Sequence, residues 1–125
     1  MAILSGIPVL HCRTIEATLD FYQQKLQFVM VKKRESEGRL QWAHLMNAST
    51  TLMLQRTEVS LPDQQQENIS LYFFVSNIKE MRHIFKVKYG IDTCLATTPY
   101  HMHECDVQDP EGNRITLGQK LEPEK

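Results

Sequence analysis

The chain nearly repeats itself at a spacing of 63 residues, and no other feature constrains its fold as much. Thr14 and Asn77 stand 63 positions apart, both are residue types favoured at helix N-caps, and isoleucine follows each, Ile15 and Ile78. Helical spacing of apolar residues continues through Leu19, Phe21, Tyr22 and Leu26 in the first copy and Met81, Ile84, Phe85 and Tyr89 in the second. A break follows each helix, at Gln27 before Phe28 and at Gly90 before Ile91, where glycine suits a left-handed helix end. A repeat of this length is a whole supersecondary unit used twice.

Strand-like runs complete each copy. Residues 7–12 read as a strand before the first helix, and runs at 28–34, 40–46 and 51–55 follow it, giving the order βαβββ. In the second copy residues 68–75 alternate, with Ile69, Leu71, Phe73 and Val75 suited to a helix-covered face and Ser70, Tyr72 and Phe74 to the opposite one. Strands near 92–96, 102–108 and 113–118 close the copy, the last two joined through Asp109-Pro110-Glu111-Gly112-Asn113, a turn signal with Pro and Gly well placed. The expected layout is a single domain: module one about 5–56, a polar connector at 57–67, module two about 68–119 and a tail from 120. The expected class is α+β, two tandem βαβββ modules making a cup-shaped, mostly antiparallel eight-stranded sheet with the helices outside. Each half is too short to bury a good core alone, so the halves are expected to pack together.

Charge excludes some functions. Lys and Arg number 14 against 15 Asp and Glu, with no basic stripe, which argues against a nucleic-acid partner. The 3 cysteines, Cys12, Cys94 and Cys105, have no CxxC spacing and favour neither a disulfide framework nor a structural zinc site, so a reducing cytoplasm is expected. The opening residues do not read as a signal peptide, and no membrane segment is expected.

Ile7-Pro8-Val9-Leu10, the helix from Thr14 through Phe21-Tyr22, Leu26-x-Phe28 and the Asp109-Pro110-Glu111-Gly112-Asn113 turn together resemble the glyoxalase/bleomycin-resistance/dioxygenase superfamily, the vicinal oxygen chelate proteins, over nearly the whole chain. Enzymes of that family hold a divalent metal on the first and last strands of each module. The resemblance carries those positions onto Ile7, Met53, Ser70 and Thr116, themselves related by 63. None of the four offers an imidazole or a carboxylate, so no metal and no other cofactor is expected. The resemblance then implies the metal-free branch: binding of a small aromatic or cationic molecule, antibiotic-resistance-like, in a groove of a cytoplasmic homodimer. Other expectations remain open. One is a metal-dependent lyase, isomerase or dioxygenase, and another is a non-catalytic dimer module.

Strand parity selects the candidate site. Ser70 sets Tyr72 and Phe74 on the face away from the helix, and Thr116 sets Arg114 and, across a three-residue loop, Asp106, Glu104 and Met102 there. Met53 sets Thr51 and Gln55 and, with a two-residue loop at Ala48-Ser49, also Trp42, His44 and Met46; a three-residue loop would instead select Gln41, Ala43 and Leu45. Tyr100 stands just before a strand, where it can close a groove. The ligand-binding set is therefore Trp42, His44, Met53, Tyr72, Phe74, Tyr100, Met102 and Glu104, with no catalytic residue assigned. Glu104 is expected to face a cationic ligand, although Tyr72 and Phe74 equally suit a dimer interface and Glu104 and Asp106 a solvated edge. His44 and Glu104 suit acid–base roles but have no accompanying nucleophile. Alternation of His101, His103 and Cys105 is a rival, weaker metal signal.

Overall fold

The computed structural model describes residues 1–57 and 68–121. Two compact units divide the chain, residues 1–66 and 67–125. Nearly all of the expected connector and most of the expected tail lie outside the described residues.

Each unit is a βαβββ module. The first contains β1 (Val9–Cys12), α1 (Ile15–Asp20) continued by a π-helical turn (Phe21–Lys25), β2 (Val29–Ser36), β3 (Arg39–Asn47) and β4 (Thr50–Arg56). In the second are β5 (Ser70–Phe74), α2 (Ile78–Tyr89), β6 (Ala96–Thr97), β7 (Met102–Gln108) and β8 (Arg114–Lys120). The modules contribute separate four-stranded sheets of identical topology, β1-β4-β3-β2 and β5-β8-β7-β6, each with one parallel and two antiparallel pairings.

The repeat persists to individual hydrogen bonds. Val9 opposes Met53 and Tyr72 opposes Thr116, the same pairing moved by 63. The amide of Phe28 donates to the Tyr22 carbonyl at 2.9 Å, and that of Ile91 to Phe85 at 3.0 Å, each across a left-handed residue, Gln27 with φ 59° and Gly90 with φ 67°. The caps differ. Asn77 Oδ1 accepts from the Glu80 amide at 3.1 Å and Asn77 Nδ2 donates to Glu80 Oε2 at 3.3 Å, a reciprocal cap, whereas the Thr14 side chain makes no cap bond.

One face of each sheet is buried. Leu10, Ile15, Phe21, Tyr22, Leu26, Phe28, Ala43, Leu45, Leu52 and Leu54 form the first core, and Ile78, Phe85, Cys105, Val107, Ile115 and Leu117 the second. Ile84, expected on the apolar stripe of α2, is exposed. β6 is shorter than expected because Thr93 is held by side chains instead of a ladder: its hydroxyl donates to the Asp106 carbonyl at 2.9 Å and its carbonyl accepts from Arg82 Nε at 2.5 Å.

The motif that carries the family resemblance is structural. Buried Asp109 accepts from the amides of Glu111 and Asn113, both at 2.9 Å, and from Asn113 Nδ2 at 3.0 Å, while Asn113 Oδ1 accepts from the Ile69 amide at 3.0 Å. Gly112, with φ 89°, supplies the positive backbone angle that this turn requires.

Candidate functional site

The open face of the second sheet assembles around Glu104. Gly118 and Glu104 are cross-strand neighbours, Tyr72 opposes Thr116 one row away, and Phe74 opposes Gly118. A Cβ at Gly118 would lie 2.0 Å from the Tyr72 hydroxyl, so the missing side chain is what lets the phenol lie across the sheet. Tyr72 Oη then donates to Glu104 Oε2 at 2.8 Å, and Tyr100 Oη donates to the same oxygen at 2.7 Å. Phe74, 79% exposed, leans on Tyr72 with ring centroids 5.0 Å apart. Burial and the donated bond to the Glu104 carboxylate push the Tyr72 phenol up to about 12. The Glu104 bond raises Tyr100 as well. Both phenols therefore remain neutral donors at ordinary pH, and Glu104 Oε1 accepts no bond among the described residues.

A second cluster lies one row on. Asp106 Oδ2 accepts from Arg114 Nη2 and Nε, at 2.5 and 3.0 Å, and Asp106 Oδ1 accepts from the Thr116 hydroxyl at 2.7 Å. Asp106 is thereby neutralised by its own sheet, whereas Glu104 has no ion-pair partner among the described residues. Met102 shares the parity of Glu104 but is buried, and it presents little surface to a ligand.

In the first module the two-residue loop at Ala48-Ser49 is present, with Asn47 opposite Thr50. Trp42 opposes Gln55, His44 opposes Met53 and Met46 opposes Thr51, so these six share one face while Ala43, Leu45, Leu52 and Leu54 are fully buried on the other. Trp42 and His44 lie with ring centroids 6.2 Å apart. His44 belongs to the first unit and Glu104 to the second.

The metal positions do not fit a divalent ion. Met53 opposes Val9, Ser70 opposes Arg114, Thr116 donates its hydroxyl to Asp106, and Ile7 precedes β1. One thioether, two hydroxyls and an alkyl chain are poor donors for the hard or borderline cations that such a site takes. The rival alternation of His101, His103 and Cys105 does not form: His101 sits before β7 with φ 64°, His103 Nδ1 pairs with the Thr97 hydroxyl at 3.2 Å, and Cys105 is buried with its thiol pKa raised by desolvation. Among the described residues no three His, Cys, Asp or Glu side chains gather as a metal site, and no helix is long and apolar enough to cross a membrane.

Sequence reasoning missed two parts. In sequence Gly118 is only the end of the 113–118 strand, although its pairing to Glu104 follows from the three-residue hairpin loop. Buried Arg56 donates to the Leu40 carbonyl at 2.7 Å and pairs with Glu16 of α1, tying the helix to its sheet; no local signal announces a buried arginine at a strand end.

Comparison with known proteins agrees on the fold. Among solved structures, the chain is similar to TioX from Micromonospora sp. ML1, 19% identical with a TM-score of 0.76 over 94% of this chain and 99% of that one. It is similar to a lactoylglutathione lyase from Agrobacterium tumefaciens, 16% identical with a TM-score of 0.71 over 95% and 96% of the two chains. A bleomycin-binding protein solved with bleomycin is 19% identical, with a TM-score of 0.69 over 93% and 98%. No curated protein sequence matches. At these identities the structures share a fold, and they include both a lyase and a bleomycin-binding protein. The family model of the Glyoxalase/Bleomycin resistance protein/Dioxygenase superfamily matches residues 8–117, from the start of the first module to the last strand of the second. The chain therefore belongs to that superfamily.

Proposed function

We propose that this protein binds a small aromatic or cationic molecule without a metal, on the open face of the second sheet. The observation that carries this reading is the Glu104 carboxylate, held by two neutral phenols and bordered by the exposed Phe74 ring. A cation gains from the negative π faces and from the free carboxylate oxygen together, which is how aromatic cages take quaternary ammonium groups. The donor set at Ile7, Met53, Ser70 and Thr116 supports metal independence. Function as a homodimer, with the apolar surface of Phe74 covered by a second copy, belongs to the same reading, as does residence in a reducing cytoplasm, which suits three free thiols.

Calorimetry on chelator-treated protein with benzyltrimethylammonium tests it. Saturable binding is expected, weakened about tenfold or more in Glu104→Gln, which keeps an acceptor for the phenols but removes the charge. Unchanged affinity in that variant ends the role of Glu104. Ligand stabilisation that appears only after zinc, nickel or manganese is added ends the metal-free reading and favours a lyase-like enzyme.

The exposure of Phe74 also favours a second reading, in which this face serves dimerisation alone. A stable dimer by light scattering, disrupted by Phe74→Ala, together with no response to the cation would support it.

A further inference from the structure

We propose that the open face of the first sheet carries a separate subsite for an aromatic carboxylate, built by a β-bulge in β2. Nothing in this inference depends on Glu104.

Without a bulge, Met30 opposite Leu45 would be followed by Val31 opposite His44 and Lys32 opposite Ala43, sending Lys32 and Arg34 to the side where Ala43 is fully buried. The register shifts between Met30 and Lys32 instead. Val31 becomes the extra residue, Lys32 opposes His44, and Arg34 opposes Trp42. Such bulges commonly re-aim side chains, and directly opposed residues have Cβ atoms about 4.5–5.5 Å apart. Two cations are thus set beside an indole and an imidazole.

These cations are uncompensated. Neither Lys32 nor Arg34 has an ion-pair partner among the described residues, and the nearest acid along the strand, Glu35, is held by Lys33 at 3.0 Å. His44 Nε2 is buried and has no hydrogen-bond partner among the described residues, which leaves an unsatisfied polar atom on the residue opposite Lys32. Met46 and Met53 lie on the same face and offer adaptable apolar walls. An arginine fork matches a planar carboxylate in two parallel bonds, lysine adds charge, and the indole of Trp42 supplies a surface for a ring. The ligand class that uses all of these is an aromatic carboxylate.

Trp42 is the only tryptophan in the chain, so its emission reports directly on this face. The full chain is titrated with benzoate and with benzyl alcohol, an uncharged match, at constant ionic strength. Benzoate is expected to change the emission saturably and to bind at least tenfold more tightly than benzyl alcohol. The double variant Lys32→Gln, Arg34→Gln, whose positions are both exposed, is expected to lose that preference while its urea unfolding midpoint stays put. Arg34→Lys should fall between, keeping the charge but not the fork. No saturable response to benzoate, equal affinity for the two probes, or a preference that survives in the double variant overturns the proposal. Because the cation test reads Glu104 and this one reads Trp42 with an anion, failure of one leaves the other standing.

Discussion

The two modules share a topology and a strand register, yet among the described residues one open face presents cations without an ion pair, Lys32 and Arg34, and the other a carboxylate without one, Glu104, and their cores differ in weight. The divergence has an identifiable origin in one loop. The β3–β4 connection uses two residues, Ala48 and Ser49, whereas β7–β8 uses three, Pro110 to Gly112, between the Asp109–Asn113 bonds. The equivalent of His44 is therefore Asp106, and that of Trp42 is Glu104, each 62 positions on instead of 63. Where module one places Arg34, Trp42, Gln55 and His11 across its sheet, module two places Ala96, Glu104, Gly118 and Phe74. The missing side chain at Gly118, beside Glu104, opens the room that Tyr72 uses. The repeat thus conserves the framework, while the side chains on the open faces diverge.

Core weight offers the largest test of this comparison. Leu54 and Leu117 are repeat-equivalent and both nearly inaccessible, and truncating either to alanine should cost about 2–5 kcal/mol. Leu54→Ala is expected to lose more, because Phe21, Tyr22, Leu26 and Phe28 are all buried in the first core, whereas of their equivalents Ile84, Phe85, Tyr89 and Ile91 only Phe85 is. Urea unfolding of the two variants gives the ranking, and the reverse order would mean that the second module is the better packed.

The helix ends give a smaller, signed test. Gln27 and Gly90 occupy the same left-handed position, and a residue with a Cβ costs about 1–2 kcal/mol there, partly offset because glycine loses more freedom on folding. Gln27→Gly should stabilise by about 0.5–1 kcal/mol and Gly90→Gln destabilise by about 1 kcal/mol. Opposite signs at equivalent positions are the expected result in thermal melts, and equal signs would break the structural equivalence. At the other helix ends, Asn77→Ala should cost about 1 kcal/mol and Thr14→Ala less, since only Asn77 makes a side-chain cap bond.

Most of the framework was legible because it is written in local and periodic signals. The caps, the helix stripes, the alternation in 68–75 and the Asp-Pro-x-Gly-Asn turn each report a backbone requirement within a few residues. The register of the Leu40–Gln55 hairpin was legible for a different reason: only the two-residue loop sends Ala43 and Leu45 to the core with Leu52 and Leu54. The site was legible only as a set of residues sharing a face. That Tyr72 reaches the Glu104 oxygen which Tyr100 also binds depends on the empty volume at Gly118, a contact between strands far apart in sequence. The bulge at Val31 was illegible, since the face that Lys32 and Arg34 take is set only by their pairing with β3.

The smallest expected effect probes that convergence directly. The Tyr72 phenol is raised from 10.0 to about 12, first by burial and then by its bond to Glu104, so the folded state holds this proton more tightly than the unfolded chain does. The resulting stabilisation is present in full below pH 10.0 and is lost as the pH rises through the window to about 12. Half-exposure of Tyr72 keeps the effect modest. The stability difference between the wild type and Tyr72→Phe should therefore shrink across that window when measured by urea unfolding at successive pH values. Gly118→Ala supplies the structural control, because its methyl group must displace the phenol from Glu104. Titration of Tyr72 followed by NMR at its ring carbon should then move back toward 10.0. An unmoved titration in Gly118→Ala would show that the ring does not cross the sheet at that glycine, and the difference between the two open faces would then need another cause.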